Sequence, residues 1–139
     1  MRFFRSRPKD ESADLSDKQR NAANLFVETA ERLLGVRFDY SEDSALALDP
    51  WIDRLWDPAR PPSEAELDSN TKLMGAYMGE VILRHGGGQW VWFDGLPAIE
   101  RKGKIANVLN KVYKRQVNGP ADSLALFYEE FQRLTSSEH

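Results

Sequence analysis

Apolar residues recur at Ala23, Phe26, Ala30, Leu33 and Leu34, the three-and-four spacing of a single helix face. Ser16 followed by Gln19 offers a capping box ahead of that run, and Gly35 offers the left-handed position at which helices commonly stop. The pattern predicts a helix over residues 17–34. The period then changes. Val36, Phe38 and Tyr40 alternate with Arg37 and Asp39, which predicts a short half-buried strand at a sheet edge. Leu46, Leu48, Ile52, Leu55 and Trp56 return to helical spacing. Pro50 is tolerated only near a helix start, so a helix is expected over residues 49–56, with an earlier turn ahead of it. Residues 57–62 carry three prolines and read as a connector.

Ser63 with Glu66 makes a second capping box, and Leu67, Met74, Tyr77, Met78 and Val81 carry the stripe of the central helix towards Arg84. Gly86, Gly87 and Gly88 end it. The run Trp90-Val91-Trp92-Phe93 is the strongest strand signal in the chain. Asp94-Gly95 is a favoured two-residue hairpin turn, with return through Leu96, Ala98 and Ile99 before Gly103. Ile105, Val108, Leu109, Val112 and Tyr113 mark a helix ending near Asn118-Gly119-Pro120. Asp122 opens a last helix with Leu124, Phe127, Tyr128, Phe131 and Leu134 on one face. The expected fold class is α+β, about five helices packed on a small antiparallel sheet built around the 89–102 hairpin. Residues 15–136 form its single domain. Residues 1–14 hold Arg2, Arg5, Arg7 and Lys9 around Phe3 and Phe4, and read as a mobile basic tail rather than a membrane-surface anchor, because single short basic stretches anchor poorly.

Composition narrows the chemistry. A chain of 139 residues buries enough surface to fold without a staple, and the absence of cysteine removes disulfides, thiolate nucleophiles and thiolate metal sites. With only His85 and His139, no histidine-built metal site is expected, and no cofactor is assigned. A net charge of −3 gives no global attraction to phosphate backbones, so nucleic acid is disfavoured as a partner. No apolar run is long enough to span a bilayer and no signal-peptide pattern opens the chain, so a cytoplasmic location is expected.

The candidate residues lie in the second half. Gly75 and Gly79 share one helix face, where each costs about 1 kcal/mol against alanine; close backbone packing explains the pair more simply than a ligand groove does. Glu80 lies one turn before Arg84, within reach of an ion pair. Turned inward beside Tyr77, it would instead be a candidate acid or base. The Gly86–Gly88 run leaves a helix and enters a strand, opposite to the order of a phosphate-cradling loop, so a helix stop is expected, with His85 in the last turn. Trp90 and Trp92 point to one side of their strand, and an uncovered face there would be an aromatic contact patch. Lys102, Lys104, Lys111, Lys114 and Arg115 make the region after the hairpin basic, the cluster suited to phosphate or an acidic partner, but a solvated amphipathic helix face explains it more simply and no nucleic-acid-binding motif flanks it.

Several of these pieces occur together: Asp39-Tyr40-Ser41, Leu48-Asp49 and Ile52-Asp53, Gly75-Ala76-Tyr77-Met78-Gly79-Glu80-Val81, Gly87-Gly88-Gln89-Trp90, Lys111-Val112-Tyr113-Lys114-Arg115, and Gly119 with Asp122-Ser123-Leu124. In them the chain resembles a group of small uncharacterised bacterial proteins, over about residues 16–134. The Gly-Ala-Tyr-x-Gly-Glu block ahead of Gly-Gly-x-Trp is the distinctive part. The resemblance implies an intact domain and carries no activity with it. The expectation from the residues is a small interaction or regulatory domain, an immunity-like role among those that suit it, with a protein partner or a second copy of itself. Its candidate contacts are Tyr77, Glu80, His85, Trp90, Trp92, Lys111, Lys114 and Arg115. The alternative is an enzyme or small-ligand binder with a pocket around Tyr77, Glu80, His85 and Trp90; no catalytic residue or metal ligand is assigned.

Overall fold

A computed structural model describes residues 8–55 and 59–136, with side chains from residue 13 onward. All five expected helices form, and the turn expected ahead of Asp49 becomes a separate short helix. The order is α1 (Pro8–Leu34), α2 (Glu42–Leu46), α3 (Leu48–Leu55), α4 (Glu64–Arg84), β1 (Gln89–Phe93), β2 (Leu96–Arg101), β3 (Lys104–Ala106), α5 (Val108–Asn118), a single 3-10 turn (Pro120–Asp122) and α6 (Leu124–Leu134). It is an α+β fold with one three-stranded antiparallel sheet in the order β1-β2-β3.

α1 begins well before Ser16, so the expected basic tail is corrected over residues 8–14, which are helical; residues 1–7 lie outside the described residues. Pro8 holds the first position, where its fixed φ suits a helix and its missing N–H costs nothing. Leu15 is buried, so the apolar stripe extends upstream of Ala23 and rewards the added turns. Gly35 stops α1 at φ 66°, its N–H bonding to Glu31 O at 2.9 Å. The second capping box forms as expected: Ser63 Oγ accepts from Glu66 N at 3.1 Å and Glu66 Oε1 accepts from Ser63 N at 2.8 Å.

The alternation at residues 36–40 does not make a strand. Phe38 enters an aromatic cluster instead, 4.9 Å from Phe26 of α1, 5.5 Å from Trp51 of α3 and 5.4 Å from Tyr77 of α4 between ring centroids. Three helices surround this segment, so no strand edge is beside it to pair with. The third strand is Lys104–Ala106, which takes Ile105 out of the helix expected to contain it. β2 returns into β3 through Lys102 and Gly103, at φ 55° and 79°, as β1 returns into β2 through Asp94 and Gly95, at φ 55° and 82°. Both are two-residue turns with two left-handed positions, matched to the twist of the strands they join.

α4 is the centre of the molecule, buried without interruption from Met74 to Ile82. Its two glycines are contact points. A Cβ on Gly75 would stand 2.7 Å from Leu109 Cδ1 of α5, and a Cβ on Gly79 would overlap Cη2 and Cζ2 of the Trp90 ring. Gly75 therefore admits α5, and Gly79 admits the hairpin. Alanine is the better helix former by about 1 kcal/mol, but here its methyl would meet a rigid ring with no room to move. Gly79→Ala is expected to lower the unfolding free energy by about 2 kcal/mol in urea denaturation. An unchanged or raised midpoint would show that the indole gives way.

Candidate functional site

The hairpin is anchored at its base and open at its tip. Trp90 faces Ile99 across the ladder and lies on α4, fully buried, with Nε1 donating to Glu80 Oε2 at 2.8 Å. Glu80 is 7% exposed, so its inward orientation is real, but it faces an indole N–H rather than a cavity. The expected Glu80–Arg84 pair is not made. Arg84 lies over the Tyr40 ring, 3.6 Å from its centroid, while Glu80 turns to the tryptophan.

Tyr77 is engaged in the same way. Its hydroxyl accepts from Tyr40 N at 2.9 Å and pairs with Ser44 Oγ. Ser44 directs its own proton to Ser41 O, so Tyr77 donates to Ser44. Burial pushes the phenol's pKa upward, against the opposing pull of the Tyr40 N–H, and it stays a neutral structural hydroxyl. His85 Nε2 meets Tyr40 O at 2.9 Å; a carbonyl only accepts, so that nitrogen carries the proton. Tyr77, Glu80, His85 and Trp90 thus join neighbouring elements together, and the polar atoms of Tyr77 and Trp90 are committed to protein partners instead of converging on one cavity. The Gly-Ala-Tyr-Met-Gly-Glu block is accounted for by packing: two glycines for close approach, Tyr77 for the Tyr40 loop and Glu80 for the hairpin.

Beyond Trp90 the hairpin outgrows the core. Trp92 is 61% exposed, Phe93 42% and Leu96 39%, grouped around the Asp94-Gly95 turn. Trp90 and Trp92 share a side of the strand, as their spacing requires, yet one is in the core and the other in solvent. The boundary runs across the strand rather than between its faces.

The basic cluster is largely spoken for. Arg115 is 3% exposed, its Nε donating to Asp49 Oδ1 at 2.8 Å and its Nη2 to Asp53 Oδ1 at 2.7 Å. Lys111 pairs with Asp122 at 3.1 Å, and Lys102 Nζ donates to Thr135 O at 3.0 Å. Lys104 and Lys114 remain on the surface. Along α6 an open cavity of about 690 Å³ is lined by Ile105, Lys111, Leu126, Phe127, Phe131 and Leu134, together with Glu129, Glu130 and Arg133. Of the residues singled out above as candidate contacts, it contains Lys111 alone.

Two important residues were missed in the sequence. Asp49 accepts from Leu124 N at 3.0 Å, Ala125 N at 2.9 Å and Ser123 Oγ at 3.2 Å besides Arg115, so it caps α6 from α3. No local pattern marks a carboxylate whose partners lie 66 to 76 positions away. Arg101 is 5% exposed and bonds to Gly87, Gln132, Thr135 and Ile82. Its signal was available: it lies two residues beyond Ile99, and so on the core face of β2. No family model, curated protein or solved structure matches the chain.

Burial alone would raise the Asp49 pKa, but the α6 backbone N–H groups and Arg115 outweigh it and hold the carboxyl below its ordinary value. A lowered folded-state pKa contributes stability that is complete above the unfolded value, near 3.9, and is lost as pH falls through the folded value. Asp49→Asn offers one carbonyl where two oxygens served, and leaves Arg115 short of a counter-charge. It is expected to cost about 3 kcal/mol at pH 7 and to flatten the loss of stability on acidification below about pH 4, measured by urea unfolding across pH. An acid dependence as steep as in the parent chain would assign that loss to other carboxyls.

Proposed function

We propose that this chain is a protein-binding module that engages its partner through the tip of the β1–β2 hairpin. The observation that carries this reading is the exposure of Trp92, at 61%, beside Phe93 and Leu96 on a turn whose base is locked into the core. Tryptophan is among the residues that dominate binding energy when a partner covers them. A rigid two-residue turn presents it with little ordering entropy left to lose. Trp92 contributes little to the fold, since Trp90 already fills the notch on α4.

Other features support the reading. Tyr77 and Trp90 of the alternative ligand pocket spend their polar groups on structural bonds, and Glu80 faces the Trp90 indole, which favours an interaction role over catalysis. The engagement of Arg115, Lys111 and Lys102 by neighbouring groups supports a protein partner over nucleic acid. Among the described residues no helix is long and apolar enough to cross a membrane. A cytoplasmic regulatory role, immunity-like in kind, is the setting we propose for the module, in keeping with its resemblance to small bacterial proteins.

The test places a photo-crosslinking amino acid at Phe93 in cells, identifies the captured protein, and measures its affinity for the purified chain directly. Trp92→Ala is expected to weaken that complex by about 30-fold, or about 2 kcal/mol, while leaving the unfolding midpoint within about 0.5 kcal/mol of the parent. A self-complex that depends on Trp92 in sedimentation would identify a second copy as the partner. Affinity indifferent to Trp92→Ala, in any complex the chain forms, contradicts the proposal.

A further inference from the structure

A smaller cavity of about 310 Å³ opens where α4 ends, lined by His85, Gly86, Arg101, Lys102, Gln132, Thr135 and Ser136. Its floor is the Arg101 guanidinium. Nε donates to Gly87 O at 2.9 Å, and Nη1 donates to Gln132 Oε1 at 2.6 Å and to Thr135 Oγ1 at 3.0 Å, while Nη2 reaches Ile82 O. Every one of these acceptors is neutral. Among the described residues no carboxylate pairs with Arg101, in contrast to Arg115, which burial at the same depth brings against two aspartates. Burial lowers the Arg101 pKa, and the titrating neighbour that acts on it is the Tyr128 phenol rather than an acid.

A buried cation without a counter-charge is costly, and the carbonyls at the end of α4 supply only about half a negative charge. Lys102 adds a second cation at the rim, and among the described residues no Asp or Glu lines the cavity. The wall is therefore positive in a chain whose net charge is negative. The two cations keep donors that these bonds do not use: one N–H of Arg101 Nη2 and the Lys102 ammonium hydrogens not given to Thr135 O. Arg101 has no pair of parallel N–H groups left for the planar fork that a carboxylate prefers. Single donors approaching from different directions suit a tetrahedral oxyanion instead. The volume exceeds that of one phosphate and leaves room for the group that carries it.

We infer that this cavity binds the phosphate group of a soluble small molecule, held by Arg101 from below and Lys102 from the rim. Gly86 belongs to the design, because a Cβ there would stand 2.5 Å from Arg101 Cζ and press on the guanidinium. The inference is independent of the hairpin reading, since it uses none of the same side chains.

The test follows backbone amides of the full chain by NMR during titration with inorganic phosphate through the millimolar range, with chloride adjusted to hold ionic strength constant. Saturable shifts are expected at Gly86, Lys102 and Gln132. Lys102→Asn keeps a residue tolerant of the left-handed turn, leaves the Arg101 bonds in place, and is expected to weaken binding at least about fivefold. Arg101→Lys, if it folds, is expected to abolish it. The absence of saturable shifts, equal affinity in Lys102→Asn, or an equal response to acetate would each overturn the inference. Binding to phosphatidylglycerol vesicles that inorganic phosphate fails to displace would assign the site to a lipid headgroup and overturn the soluble ligand.

Discussion

The Trp90 ring seated on Gly79 is the contact on which the rest of the arrangement depends. It is possible only because residue 79 has no side chain, and it is completed by the hydrogen bond from the indole to Glu80 one position further along α4. Ring, glycine and carboxylate together decide where the hairpin sits and how far it projects. Since Trp90 is drawn down onto the helix, residues 92–96 are carried past the edge of the core. The exposed tip is a consequence of the buried base, and a longer α4 or a second covering helix would be needed to hide it.

Two polar hubs hold the helices around that contact, and they differ in a way that matters. Asp49 gathers Arg115 and the N-terminus of α6, so opposite charges and a helix dipole meet and their burial is compensated. Arg101 gathers the end of α4, the glycine turn and α6, but among the described residues through neutral acceptors alone. The first hub is electrostatically closed. The second is positively charged and faces a cavity, and this asymmetry separates a structural cap from a site for an anion.

Much of the architecture was legible from period and punctuation. The Ser63–Glu66 box, the Gly35 stop and the Asp94-Gly95 turn each took the form their chemistry requires, and the paired glycines of α4 proved to be close contacts. Legibility failed where a long-range neighbour overrode a local pattern. Phe38 alternates like a strand residue, but three helices converge on it. Glu80 has Arg84 at ideal helical spacing, but the indole and the Tyr40 ring claim the two partners separately. Ser16 has a capping sequence, but burial of Leu15 makes a longer helix more favourable. At the candidate sites, the aromatic tip was visible as a possibility, whereas which tryptophan would be exposed depended on where the core ends. Arg101 was readable from strand parity; Asp49 was not readable at all.

One tryptophan of the hairpin anchors it and the other is presented to solvent. Hydrogen exchange of the two indole N–H groups tests this most directly. Trp90 Nε1–H is expected to exchange only as fast as the whole domain unfolds, while Trp92 Nε1–H exchanges at nearly the rate of a free indole. Comparable rates for the two, or early exchange at Trp90, would mean that the hairpin lifts off α4 as a unit, and would contradict a rigid presented tip.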